Sequence, residues 1–104
     1  GTTGWNIIPE LEEYVNDGNV IDKPTFGSFD LVSHLMSLDE EYEINQIEFI
    51  GLCTDICVIS NVMLTKASFY DYDIVVDSSC CAGVSVSSHN NALEAMKMCH
   101  IKVL

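Results

Sequence analysis

The chain has 104 residues, 48% of them hydrophobic and only 2 of them proline, so it has the size of one domain, can bury a core and lacks the composition of a disordered segment. Sixteen acidic residues against four basic ones give a formal charge of −12, which opposes a phosphate backbone or an anionic lipid surface, so neither nucleic acid nor a membrane is expected as a partner. No apolar run approaches the ~20 residues a bilayer requires, the start GTTGWN has no leader character, and the 5 cysteines form an odd set that is unlike a secreted disulfide scaffold, which predicts a reducing, cytoplasmic setting.

In chain order, Ile7, Ile8, Leu11 and Tyr14 to Val15 recur at roughly helical spacing around Pro9 and predict a short helical turn ending near Asn16-Asp17-Gly18. Val20 to Asp22 reads as a brief strand, and Lys23-Pro-Thr-Phe-Gly-Ser-Phe29 as a loop punctuated by Pro24 and Gly27. Asp30 to Leu38 is an amphipathic helix with Leu31, Leu35 and Leu38 on one face, and the acidic group Asp39-Glu40-Glu41 with Glu43 reads as a solvated loop. Ile47 to Leu52 has the character of a buried strand ending beside Gly51, and a periodic helical segment from Asp55 to Ser68 follows at once. Ile74 to Asp77 repeats the strand signal. Ser87 or Ser88 is expected to cap a helix whose apolar face is Ala92, Leu93, Ala95, Met96 and Cys99, and Ile101 to Leu104 closes as a strand. Strands separated by helices imply βαβ units, so the fold class is α/β, a parallel sheet flanked by helices on both faces.

In an open parallel sheet, ligands bind beyond the carboxyl ends of the strands. Three groups fall there: Lys23, the run Gly51-Leu-Cys-Thr-Asp-Ile-Cys-Val58, and Asp77-Ser-Ser-Cys-Cys81. Cys57 would sit in the first turn of a helix, where unpaired N–H groups and the positive end of the helix dipole favour a reactive sulfur. The same turn, with the N–H of Cys53, can point amides at an oxyanion. Lys23 after a strand can reach the same crevice and support that sulfur. Each has a plainer alternative, since a cysteine near a helix start is often an inert packed residue and a lone lysine a solvated surface charge.

The segment GLCTDICVISN resembles the nucleophile motif of the cysteine hydrolases related to nicotinamidase and isochorismatase, a Gly-aliphatic-small-Thr-Asp-x-Cys-Val pattern. The remaining segments are similar to the same family in order: GTTGW with Pro9-Glu10-Leu11, Lys23 with Phe26-Gly-Ser-Phe29, Asp77 to Gly83, and Asn91-Ala-Leu-Glu-Ala-Met96. The resemblance covers essentially the whole chain and implies an isochorismatase-like, Rossmann-like hydrolase fold. It implies that Cys57 is the nucleophile, that Lys23 is the catalytic lysine, that the backbone amides of Cys53 and Cys57 form the oxyanion hole, and that the Leu52-Cys53 peptide is cis. Phe26 and Phe29 become substrate-pocket candidates, although Phe-Gly-Ser-Phe departs from the aromatic-Ser-Ala-Phe that members more often carry.

No Asp of this chain matches the family's third catalytic residue on its first strand, nor do its residues match the Asp and His that bind a metal in nicotinamidases. Residues 1–104 are therefore expected to be the C-terminal part of a single hydrolase domain, inactive alone, with the missing N-terminal part as partner and any zinc or similar divalent ion held by residues upstream of Gly1. A zinc site within the chain, from Cys53, Cys57, Cys80, Cys81, His89 and His100, is disfavoured because no C-x-x-C pair exists and adjacent Cys80 and Cys81 cannot easily chelate one tetrahedral ion. Cys80 and Cys81 read instead as a strand-end pair with one packed inward, Cys99 as a core residue, His89 and His100 as exposed or capping, and His34 as lying on a polar helix face.

The resemblance implies a thiol amidohydrolase acting on a small-molecule amide, nicotinamide to nicotinate and ammonia within NAD metabolism, through a thioester on Cys57. A ureide or carbamoyl amide hydrolase is the near alternative, and a non-catalytic domain retaining the fold is the alternative of another class. A homo-oligomer is expected.

Overall fold

The computed structural model describes residues 7–104. In order they form a 3-10 helix at Pro9–Tyr14, helix α1 at Phe29–Tyr42, strand β1 at Gln46–Leu52, one π-helical turn at Thr54–Val58, helix α2 at Ile59–Ser68, strand β2 at Asp73–Ala82, helix α3 at Val86–Met98 and strand β3 at Lys102–Val103. The strands make a parallel sheet in the order β1-β2-β3. Parallel neighbours need a crossover, and here α2 and α3 supply it. The architecture is α/β.

Alternation along β1 decides which side chains enter the core. Ile47 is buried and Phe49 half-buried against the core, whereas Glu48, Ile50 and Leu52 point the other way and are exposed. Ile74 and Val76 of the central strand join Ile47, and Val32 of α1, Val58 of the π turn, Val62 of α2 and Ala92, Leu93 and Met96 of α3 close over them. Full burial of a side chain the size of Met96 contributes roughly 1.5–3 kcal/mol relative to exposure, so the side chains that α2 and α3 lay on the sheet each add substantially to stability.

Helix α1 starts where Ser28 caps it, its Oγ accepting from the Leu31 N–H at 3.1 Å. It runs to Tyr42, past the Leu38 limit expected from its leucines. Asp39, Glu40 and Glu41 are thus its last turn rather than a solvated loop. Asp39 is recruited structurally: one carboxylate oxygen accepts from the Ile44 N–H at 2.9 Å and the other from the Tyr72 hydroxyl at 2.5 Å. That hydroxyl is held above the ordinary tyrosine range, chiefly by its bond to Asp39.

Four other expectations are corrected. Val20 to Asp22 belongs to no helix or strand and pairs with no strand among the described residues, and a strand without a ladder partner is only a stretch of chain. Strand β2 does not end at Asp77: Phe49 pairs with Val76 and Gly51 with Cys81, so Ile50 alone stands opposite Asp77, Ser78, Ser79 and Cys80, which bulge outward before pairing resumes. The cap of α3 is Ser85, whose Oγ accepts from the Ser88 N–H at 3.1 Å, not Ser87 or Ser88. Cys99 is exposed at the C-cap rather than core: helical spacing would keep it on the face of Ala92 and Met96, but the helix ends at Met98 and the backbone has left helical geometry at position 99.

Candidate active site

Strand β1 delivers the chain to the carboxyl edge of the sheet, where the Leu52-Cys53 peptide is cis and Cys53 is extended. The next turn is π rather than α. The N–H groups of Ile56 and Val58 both donate to the Cys53 carbonyl, each at 3.0 Å. Single π turns are uncommon inside helices and recur at functional sites. Buried Thr54 and Val58 pin this turn to the core and leave Cys57 half-buried on its outer side.

Lys23 approaches from the loop before α1. Its Nζ lies 3.2 Å from Cys57 Sγ and also donates to the Thr25 carbonyl at 3.3 Å. The structure therefore brings Lys23, Cys53 and Cys57 to one edge of the sheet. An ammonium in contact with a sulfur can stabilise negative charge at a reacting centre.

The contact between the lysine loop and the Cys57 turn runs through Asn61, a residue of the GLCTDICVISN segment whose part in the site is visible only in three dimensions. This side chain is 7% exposed. Its Nδ2 donates to the Cys57 carbonyl at 2.8 Å and to the Phe26 carbonyl at 2.9 Å, while its Oδ1 accepts from the Ser28 N–H at 2.8 Å. A local reading of α2 sees only a polar residue in an apolar helix. The one signal available was that mismatch, since a buried amide is normally matched with partners.

On the other side the turn is tied to α3. Asp55 accepts from the Val84 N–H at 3.2 Å and from the Ser88 hydroxyl, and Thr54 Oγ1 lies 2.7 Å from His89 Nδ1. His89 is thus a half-buried linker, not an exposed or capping residue. The Ser88 hydroxyl, ahead of the Val84 amide and His89, holds the Asp55 carboxyl below the usual carboxylate range against a smaller opposing effect of desolvation. Gly83 permits the close approach: a Cβ there would meet His89 Cβ at 2.9 Å and Asp55 Oδ1 at 3.2 Å.

The other candidates stand apart from this contact. Phe26 and Phe29 flank the lysine loop and are 63% and 79% exposed. Asp77 and Cys80 lie on the β2 bulge, where the Ser79 hydroxyl and amide hold the Asp77 carboxyl below its usual range. Cys81 faces partly inward, and burial pushes its thiol up. Among the described residues no three His, Cys, Asp or Glu side chains converge on a point that would hold a metal ion. These donors do not fit a divalent site. Gly1 to Trp5, part of the sequence resemblance, lie outside the described residues. No described helix is long and apolar enough to cross a membrane.

Residues 1–104 match the family described as the isochorismatase domain. No curated protein matches the chain. Among solved structures it is similar to a nicotinamidase from Staphylococcus aureus, with 32% identity and a TM-score of 0.71 over 91% of this chain and 61% of that one. It is also similar to an isochorismatase-like hydrolase from Alkaliphilus metalliredigens, with 25% identity and a TM-score of 0.73 over 99% of this chain and 54% of that one. An octameric hydrolase of unknown specificity from Escherichia coli, 16% identical, shares the fold with a TM-score of 0.78 over 95% of this chain and 48% of that one. The chain thus spans about half to three-fifths of the length of these structures.

Proposed function

We propose a function from one established premise: the chain belongs to the isochorismatase domain family. On that premise the site supports best a thiol amidohydrolase in which Cys57 is the nucleophile and Lys23 the catalytic lysine. The observation that carries this reading is the 3.2 Å approach of Lys23 Nζ to Cys57 Sγ at the start of the helix following β1.

The Cys57 thiolate attacks the amide carbonyl carbon, and the electron pair moves to oxygen. The backbone N–H groups of Cys53 and Cys57 receive that oxyanion, a role whose loss typically costs ~10²–10³ in rate. The C–N bond then breaks, the nitrogen leaves as amine with a proton, and an acyl thioester remains on Cys57. Water attacks the thioester, releasing the acid and restoring the thiol.

The proton-carrying group in this scheme is an Asp preceding Gly1, and residues preceding Gly1 would also be the ones to hold a divalent ion. Nicotinamide, converted to nicotinate and ammonia, is the substrate favoured, since nicotinamidases from Staphylococcus aureus and Bacillus subtilis stand at 32% and 27% identity. Phe26 and Phe29 are suited to flank an aromatic ring. The intact protein is further proposed to be a cytoplasmic homo-oligomer.

The test is ammonia release from nicotinamide by the intact protein, with acid quenching and peptide mapping for an acyl adduct. A nicotinoyl adduct on the Cys57 peptide supports the proposal, and undiminished turnover by Cys57→Ser overturns it. Residues 1–104 alone are expected to release no ammonia. Robust turnover by them would show that the catalytic set needs nothing before Gly1.

A further inference from the structure

The lysine and the cysteine come from parts of the chain that are 34 residues apart, and exposed side chains do not hold a 3.2 Å contact by themselves. Lys23 is exposed, as are Pro24, Thr25 and Phe26 after it. A free ammonium on a flexible stem loses rotamer entropy when it is held in one geometry. Something must fix the loop that carries it.

The loop is tied down in two steps. Within it, Lys23 Nζ donates to the Thr25 carbonyl at 3.3 Å and the Thr25 hydroxyl donates to the Gly27 carbonyl at 2.7 Å. The peptides on both sides of Gly27 then end on one side chain, because the Phe26 carbonyl and the Ser28 N–H both bond Asn61. The same amide group reaches the carbonyl of Cys57 itself. Asn61 uses both its donors and its acceptor, and no other uncharged side chain of similar size offers two N–H donors and a carbonyl in that plane.

We infer that Asn61 is a positioning residue, a buried clasp that sets the distance between Lys23 and Cys57 and thereby the reactivity of the nucleophile. The inference rests on the proposed pairing of Lys23 with Cys57 and deepens it. Asn61 touches no reacting atom. It acts through the loop and through the Cys57 backbone.

The readout is the rate at which iodoacetamide alkylates Cys57 in the intact protein at neutral pH, followed by peptide mapping. Asn61→Ser is the decisive variant: a serine within a helix can still bond the carbonyl four residues back, so it keeps the link to Cys57 and loses both links to the lysine loop. Near-ultraviolet circular dichroism reports folding, and the rate at alkaline pH, where any accessible thiol is ionised, reports access.

Asn61→Ser and Lys23→Ala should each slow alkylation at neutral pH by about five- to tenfold, since each removes the ammonium from contact with the attacking sulfur, and the double variant should be no slower than either alone. Thr25→Ala, on the exposed loop, should slow it about twofold by the same coupling argument and remains available if Asn61→Ser does not fold. Slow alkylation in Lys23→Ala with wild-type rates in Asn61→Ser or Thr25→Ala, or strictly additive effects, would overturn the clasp alone. Wild-type rates in Lys23→Ala would overturn the clasp and the proposed pairing together.

Discussion

The two side chains proposed to carry the chemistry, Cys57 and Lys23, are supported by very different parts of the molecule. Cys57 stands on a turn whose neighbours Thr54 and Val58 are 0% and 6% exposed and which continues into fully buried Val62. Lys23 stands on a strap in which residues 22–26 are all exposed and which meets the body through Ser28 and Asn61. Packing fixes the first position through many small dispersion contacts that are hard to remove singly. A few directional hydrogen bonds hold the second, and these can be removed one side chain at a time. Mutations that damage the chemistry and mutations that damage the fold should therefore separate along this line.

The largest expected effect is that of Cys57→Ser in the intact protein, which should lower ammonia release by about three orders of magnitude or more while the thermal midpoint stays near that of the wild type. Activity close to wild type would make the packed turn merely structural. Lys23→Ala should lower turnover by roughly 10²–10³ and change stability by no more than about 0.5 kcal/mol, as exposed charges do. Lys23→Arg should also be poor, since a planar fork does not replace a point charge. A large loss of stability in either variant would show that the strap is part of the folding unit after all.

Met96→Ala tests the other side of the comparison. This side chain is completely buried in α3, and its truncation should cost about 2–5 kcal/mol in denaturant unfolding with kcat of the folded molecules little changed. The smallest effect is where the packed turn is tied to α3. Asp55 is held below the usual carboxylate range chiefly by the Ser88 hydroxyl, so its contribution to stability is present at and above that range and fades as pH falls through the lowered value. Ser88→Ala should therefore be slightly less stable than wild type at neutral pH, with a gap in thermal midpoint that closes under acid. A gap that widened as pH fell would mean that the carboxyl is not held in this way.

The parts legible in the sequence are those set by local pattern. Ile47 to Leu52, the helix behind it and Ile74 to Val76 show their period in the residues themselves, and the βαβ order follows. Cys57 and Lys23 stood out by residue type and by standing beyond expected strand ends. What stayed hidden depends on partners distant in the chain. Asn61 bonds groups 33 and 35 residues away, and His89 meets Thr54 across 35. The cap of α3 shows the same limit. Ser85, Ser87 and Ser88 are equivalent to any local rule, and Ser88 is occupied by Asp55, 33 residues away, while Ser85 caps. Val20 to Asp22 has strand-like residues, but whether they form a strand depends on a neighbour.

The bulge in β2 has a consequence for how this chain tolerates changes in length. Pairing stops at Phe49 with Val76 and restarts at Gly51 with Cys81, so the phase of the strand end beside the Cys57 turn is set by two separate anchor points. The arc between them is held at Ser78, whose N–H and hydroxyl both donate to the Leu104 carbonyl, while Ser79 and Cys80 are exposed. A residue gained or lost between Ser79 and Cys80 changes the girth of the arc and leaves the alternation of side chains on either side untouched. The same insertion between Ile74 and Val76 would turn the core face of the strand outward. A chain lengthened by one residue in this arc should therefore keep the geometry around Cys57, whereas one lengthened in the core stretch of the strand should not.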